Sequence, residues 1–166
     1  MSNREHPLTP EEFKSIYSKV PRLTVEIIVK NDEDAIFLTK RAIEPCKGQW
    51  HLPGGTVRFG EPMLGAVHRI AKRELGIDVQ EVNNTGYIEY PSHFENGLDS
   101  PVGIVFEVRK HSGGLTPNDE SQESGWFTQL PEGMHADQDK YLLTNGYLSR
   151  YQSSNLLDNA VSLDYF

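Results

Sequence analysis

The residues best placed to do chemistry fall in one stretch, Gly54 to Ile77, which reads GGTVRFGEPMLGAVHRIAKRELGI. A glycine-rich turn feeds a helix there. Pro62 suits its first turn, Leu64, Val67, Ala71 and Leu75 form an apolar stripe, and Gly76 is a natural C-terminal stop. Such a helix places positions 70, 73 and 74 on one face, where carboxylates would converge on a single hard cation. The chain has Ile70, Arg73 and Glu74 at those positions, so the face is roughly neutral and suits one cation rather than a cluster. Arg69, on the same helix, reads as an orienting partner for Glu61 or Glu74. A further carboxylate, Glu26, sits in the middle of the apolar run LTVEIIVK, where an unpaired charge is costly. That position favours a functional role or a buried ion pair.

The spacing of this stretch resembles the Nudix signature, in which a Gly, a Glu, an Arg and a helix ending Glu-x-Gly organise a divalent cation. Gly55, Glu61, Arg69, Glu74, Gly76 and Ile77 stand at the matching places, while Ile70 and Arg73 replace acids. Within that family the chain is similar to the GDP-mannose mannosyl hydrolase branch, which keeps a single helix carboxylate and cleaves at the anomeric carbon of the sugar. The likeness extends through PRLTVEIIVKNDEDAIFLTKR, the Pro45 to Trp50 segment and MHADQDKYL near His135, over most of residues 8 to 148.

The resemblance implies magnesium, or manganese in its place, held by the Gly54 carbonyl, Glu74 and Glu120. It implies Arg41 as a diphosphate contact and Glu26 near the sugar. Arg73 is read either as a phosphate contact or as a surface charge. Glu74, Glu120, Glu123 and Arg69 make up the expected catalytic group. Two positions depart from the branch: Ser121 replaces its catalytic histidine, and Thr56 an arginine that touches substrate. A serine hydroxyl is no general base near neutral pH. Glu120, Glu123 or His93 must then take the proton, and Glu123 ranks first because it shares the loop.

The elements around these residues can be read from local signals. Thr9-Pro10-Glu11-Glu12 has the form of a capped helix start, with Phe13, Ile16, Tyr17 and Val20 on one face. Leu23 to Lys30 reads as a strand, Asn31 to Asp34 as a turn, and Ala35 to Arg41 as a second strand pairing back on the first. Pro45 to Gly55 is loop-rich around Trp50. Strands follow near Tyr87, near Gly103 and at Gly125 to Thr128, separated by a polar loop from His111 to Ser121. Asp139 to Tyr151 forms a closing helix. The expected architecture is α/β (α+β): a Nudix fold with a mixed β-sheet between α-helices, one domain over 1–152 and a weakly ordered tail over 153–166.

Composition narrows the partners. The 166 residues carry a net charge of −8, which argues against long nucleic acid, since backbone affinity needs clustered cations. No apolar run approaches the ~18 residues of a membrane span, and the N-terminus lacks the form of a secretory signal, so a cytoplasmic address is expected. Cys46 is the single cysteine and is read as a half-buried thiol. The six histidines show no metal-ligand spacing. Trp50, Trp126 and Phe127 read as core or pocket wall, Tyr90 and Phe94 as exposed aromatics. The expected function is magnesium-dependent hydrolysis of a small nucleotide, a nucleoside diphosphate linked to another group and foremost a nucleotide sugar, by a homodimer. Two alternatives stand beside it. One is a pyrophosphohydrolase cleaving the phosphoanhydride of a nucleotide sugar, ADP-ribose or a nucleoside triphosphate; the other is a Nudix domain that binds nucleotide with weak turnover.

Overall fold

The computed structural model describes residues 7–150, with the side chains of residues 110 and 111 left aside. The expected tail over 153–166 lies outside the described residues. In chain order the elements are α1 (Pro10–Tyr17), β1 (Arg22–Val29), β2 (Ile36–Arg41), β3 (Trp50–His51), β4 (Gly54–Thr56) and α2 (Met63–Leu75). They continue with β5 (Asp78–Glu89), α3 (Pro91–Glu95), β6 (Pro101–Ser112), β7 (Ser121–Phe127) and α4 (Ala136–Thr144).

The expected class stands, with strands in two sheets rather than one. A four-stranded mixed sheet has the order β4-β1-β6-β5, and a three-stranded sheet the order β3-β2-β7. The pairing of β2 back on β1 does not form. Both edges of β1 are taken, by β6 in parallel from Arg22 to Val29 and by β4 antiparallel. A single bridge, Lys30 to Ile36, survives beside the turn, where the Asn31 side chain accepts from the N–H groups of Glu33 and Ala35.

Alternation along β1 divides the core. Val25, Ile27 and Val29 pack against Ala66, Val67, Ile70, Ala71 and Leu75 of α2, while Ile28 packs with Ile36, Leu38, Trp50 and Leu142 on the other side. The inward face of α2 is rotated from the expected stripe. Leu64 is 53% exposed, and Ala66 and Ile70 are buried in its place. Gly76 ends the helix at φ 69°, a conformation that favours glycine.

The capping box of α1 forms as its sequence predicts: Glu12 N–H donates to Thr9 Oγ1 at 3.2 Å and Thr9 N–H to Glu12 Oε2 at 2.7 Å. Its Ile16 nevertheless stays exposed. The closing helix begins three residues earlier than expected, after His135, and stops at Thr144 because Asn145 and Gly146 (φ 70°) turn the chain. Tyr90 is buried rather than exposed, at the entry to the short helix α3. No helix among the described residues is long and apolar enough to cross a membrane.

Candidate active site

One cavity of about 750 Å³, within the size range of small-molecule sites, opens between α1, the β1–β4 edge, α2 and the loop before β7. Its floor is the start of β4. Ile27 N–H donates to Pro53 O and Val57 N–H to Leu23 O, so the directly opposed pair Glu26 and Gly54 falls between hydrogen-bonded pairs. Both peptide groups of Gly54 therefore face the open edge of the sheet. Its N–H donates to Glu74 Oε2 at 3.3 Å.

Helix α2 meets this edge through a clamp. Arg69 donates from Nε to Glu61 Oε1 at 2.6 Å and from Nη2 to Glu61 Oε2 at 2.8 Å, and Nη2 also reaches Thr56 O at 3.0 Å. Glu61 Oε2 accepts Arg58 N–H at 2.9 Å, and the Arg69 hydrogen bonds hold its carboxyl below the usual range. The Arg69–Glu61 pair thus fixes the loop on the helix. Ile70, fully buried, lies against Gly55, where an added Cβ would meet Ile70 Cδ1 at 3.3 Å. The position where an acid was missed has become core.

Glu74 projects from the last turn of α2 with its side chain 13% exposed, and Arg73 Nη2 donates to its Oε1 at 2.8 Å. The carbonyls at this helix end accept N–H groups from the late loop, Thr116 to Leu75 O and Asn118 to Glu74 O. Asn118 then folds back: its Oδ1 accepts Glu120 N–H, its carbonyl accepts Ser121 N–H, and Ala42 N–H donates to Glu120 O. These bonds carry Glu120 to Glu74 across the sequence. Burial raises the Glu74 carboxyl above its ordinary range and the charge of Glu120 pushes the same way, against the Arg73 and Gly54 hydrogen bonds.

Glu26 is 6% exposed, and the strands on both sides make room for it with glycine. A Cβ on Gly54 would lie 2.1 Å from Glu26 Oε2, and one on Gly103 2.8 Å from Oε1. Thr24 Oγ1 donates to Oε1 at 2.9 Å. Burial drives the Glu26 carboxyl up to about 7, against hydrogen bonds from the Thr24 and Tyr90 hydroxyls and the charge of Arg22, while Glu74 adds to the rise. Tyr90 in turn accepts from Gln138 Nε2 at 2.9 Å.

Gly54, Glu26, Glu74, Glu120, Arg69, Arg73 and Arg41 are brought to one cavity; Glu123 is not. Glu123 stands opposite Lys40 in the β2–β7 pairing, bonded to its Nζ at 3.2 Å and 59% exposed. Arg41 ends β2 at a register shift and donates from Nε to Ile43 O at 3.4 Å. His51 was not anticipated as a lining residue. Its Nδ1–H donates to Leu52 O at 2.7 Å, and burial lowers it to about 4, so it is neutral near pH 7.

The NUDIX domain profile matches residues 20–144. This chain belongs to the Nudix hydrolases. It is 31% identical over 136 residues to the low-salt glycan biosynthesis protein Agl8 of Haloferax volcanii, covering 80% of this chain and 86% of that one. It is 33% identical over 107 residues to an ADP-ribose pyrophosphatase of Methanocaldococcus jannaschii, covering 64% of this Nudix chain and 62% of the other. Among solved structures, a MutT NUDIX hydrolase from Burkholderia pseudomallei superposes with a TM-score of 0.65 at 31% identity, over 72% of this chain and 94% of that one. The reaction class of this Nudix protein is hydrolysis of nucleoside diphosphate derivatives. A divalent cation fits the residues present: Glu74 and Glu120 repel one another beside an edge-facing Gly54 peptide, an all-oxygen donor set that suits a hard cation.

Proposed function

We propose that the chain hydrolyses a nucleotide sugar in the presence of magnesium, with water attacking the anomeric carbon and the nucleoside diphosphate leaving. The observation that carries this reading is Glu26, a buried carboxylate beside the Glu74–Glu120 pair, titrating close to neutral pH. Similarity to a protein of glycan biosynthesis supports a sugar-bearing substrate.

The Gly54 carbonyl, Glu74 and Glu120 would hold the cation, which when bound neutralises the diphosphate and eases its departure. The other steps belong to the chain. Arg41 and Arg73 face the cavity as cations for the diphosphate oxygens, Arg73 also steadying Glu74. Glu26 accepts the water proton at Oε2, the oxygen turned towards Gly54, while Thr24 fixes Oε1. The new bond joins the water oxygen to the anomeric carbon; the carbon–oxygen bond to the β-phosphate breaks, and its electron pair leaves with the nucleoside diphosphate. A carboxylate near 7 suits this task better than one at 4.5, because it is both basic and substantially ionised at working pH. Arg69 contributes by positioning the loop through Glu61.

A second reading places attack at phosphorus, releasing a nucleoside monophosphate and a sugar phosphate, and is favoured by the similarity to an ADP-ribose pyrophosphatase. Incubation with a panel of nucleotide sugars, with magnesium or with EDTA, followed by separation of products, distinguishes the two. Nucleoside diphosphate with free sugar is expected. Monophosphate alone would replace the first reading with the second, and tight nucleotide binding without product from any member would reject both.

A further inference from the structure

We propose that Cys46, His93 and His135 form a second metal site, distinct from the carboxylates around Gly54, which takes a zinc-class divalent cation and leaves one coordination position open to the cavity.

The three side chains come from three separate elements: the loop after β2, helix α3 and the N-terminus of α4. Their ligand atoms lie within 4.8 Å of one another. His93 Nε2 is 3.2 Å from His135 Nε2 and 3.8 Å from Cys46 Sγ. Zinc bonds of about 2.0–2.1 Å to nitrogen and about 2.3 Å to sulfur imply tetrahedral edges of about 3.3 Å and about 3.6 Å. The two separations from His93 lie close to those edges, and Cys46 and His135 bring their ligand atoms within 4.8 Å of each other. Two nitrogens and one sulfur also form the mixed, softer donor set that prefers zinc to magnesium.

His93 is oriented as a metal-bound imidazole is. Its Nδ1–H donates to Asp99 Oδ1 at 3.0 Å, which leaves the Nε2 lone pair facing the cluster. Asp99 is held in turn by Arg22, whose Nε donates to its other carboxylate oxygen. His135 Nδ1 is buried with no hydrogen-bond partner among the described residues. With the His93 proton on Nδ1, the 3.2 Å contact is a hydrogen bond from His135 Nε2–H to His93 Nε2. A cation would take the place of that shared proton, with the His135 proton carried on Nδ1 and both Nε2 lone pairs turned to the ion. Cys46 itself has φ 63°, in the left-handed region where a non-glycine residue is strained. Strain of this kind collects at ligand sites.

The cluster is held rigidly. His135 N–H donates to Trp50 O and Trp50 N–H to Gly133 O, tying the start of α4 to β3. Ser92 hydrogen-bonds Asp137, joining α3 to α4. The Tyr90 ring lies edge-on to both imidazoles at 5.4 Å, and its hydroxyl bonds Glu26. Tyr90 therefore separates the two sites, which share one cavity.

The test uses the full chain, cobalt(II) as the optical stand-in for zinc, and excess magnesium to occupy the carboxylates. One equivalent of cobalt is expected to bind, with a thiolate-to-cobalt charge-transfer band and the intense visible bands of a four-coordinate ion, and zinc should bleach both. Cys46→Ser should remove the charge-transfer band, and Asp99→Asn should weaken cobalt binding by roughly 10- to 100-fold. Glu74→Gln should leave the spectrum intact. Circular dichroism confirms that each variant is folded. Absence of a charge-transfer band in the wild-type chain, a band that survives Cys46→Ser, or its loss in folded Glu74→Gln would overturn the proposal.

Discussion

Replacing Glu26 by glutamine should stabilise the protein while impairing it, and the gain should grow with pH. The amide mimics the neutral carboxyl: its oxygen can still accept from Thr24, and it fits between Gly54 and Gly103. In the folded chain the Glu26 carboxyl titrates at about 7, against about 4.5 when exposed in the unfolded chain. Folding thus favours the protonated form. The stability this confers is complete below about 4.5 and is lost as pH rises through about 7. At 1.36 kcal/mol per pH unit the interval amounts to roughly 3 kcal/mol. For a chain of this size that corresponds to roughly 6 to 12 °C in Tm. Thermal melts of wild type and Glu26→Gln between pH 4.5 and 8.5, in EDTA, give the comparison; groups titrating alike in both chains cancel in the difference. The Tm gap should open with pH in favour of the variant. Its kcat should fall by roughly 10²- to 10⁴-fold, the range lost with a general base. A gap that is flat with pH, or a variant that keeps wild-type kcat, would refute the reasoning.

Other perturbations follow from the same contacts. Glu74→Gln should raise the magnesium concentration for half-maximal activity by at least about 10-fold with little change in Tm, read from a metal titration of initial rates. Ile70→Glu restores an acid of the signature yet places it in a fully buried position against Gly55. It should destabilise by roughly 3–5 kcal/mol in urea unfolding, with no gain in activity. Gly54→Ala sets a Cβ 2.1 Å from Glu26 Oε2 and 2.7 Å from Val25 O, so the folded fraction should lose nearly all turnover, while Gly114→Ser, in open space and without a positive φ, is tolerated.

What the sequence disclosed, and what it withheld, divides by the range of the interactions. The Thr9–Glu12 capping box and the path from Gly55 to Gly76 are local, set by residues three to eight apart, and both were legible. The phase of α2 was less so, because Leu64 fits an apolar stripe as well as Ile70 does; only the placement of β1 and Gly55 decides which turns inward. The split of β1 and β2 into two sheets depends on which distant strand claims each edge, and β6 arrives some eighty residues later. Glu120 and Glu123 look alike in sequence. The Asn118 turn directs one to the cavity, and pairing with Lys40 takes the other to solvent. The cysteine and two histidines at 46, 93 and 135 have no spacing to betray them, because a loop and two helices far apart in the chain bring them together. Tyr90 offered no signal of burial beyond the proline that follows it.

The central claim is that this cavity directs water to carbon rather than phosphorus. Hydrolysis of the best nucleotide-sugar substrate in ¹⁸O-labelled water, with mass spectrometry of both products, tests it directly. The label is expected in the free sugar, with an unlabelled nucleoside diphosphate. Label in a phosphate group, with a nucleoside monophosphate as product, would contradict it.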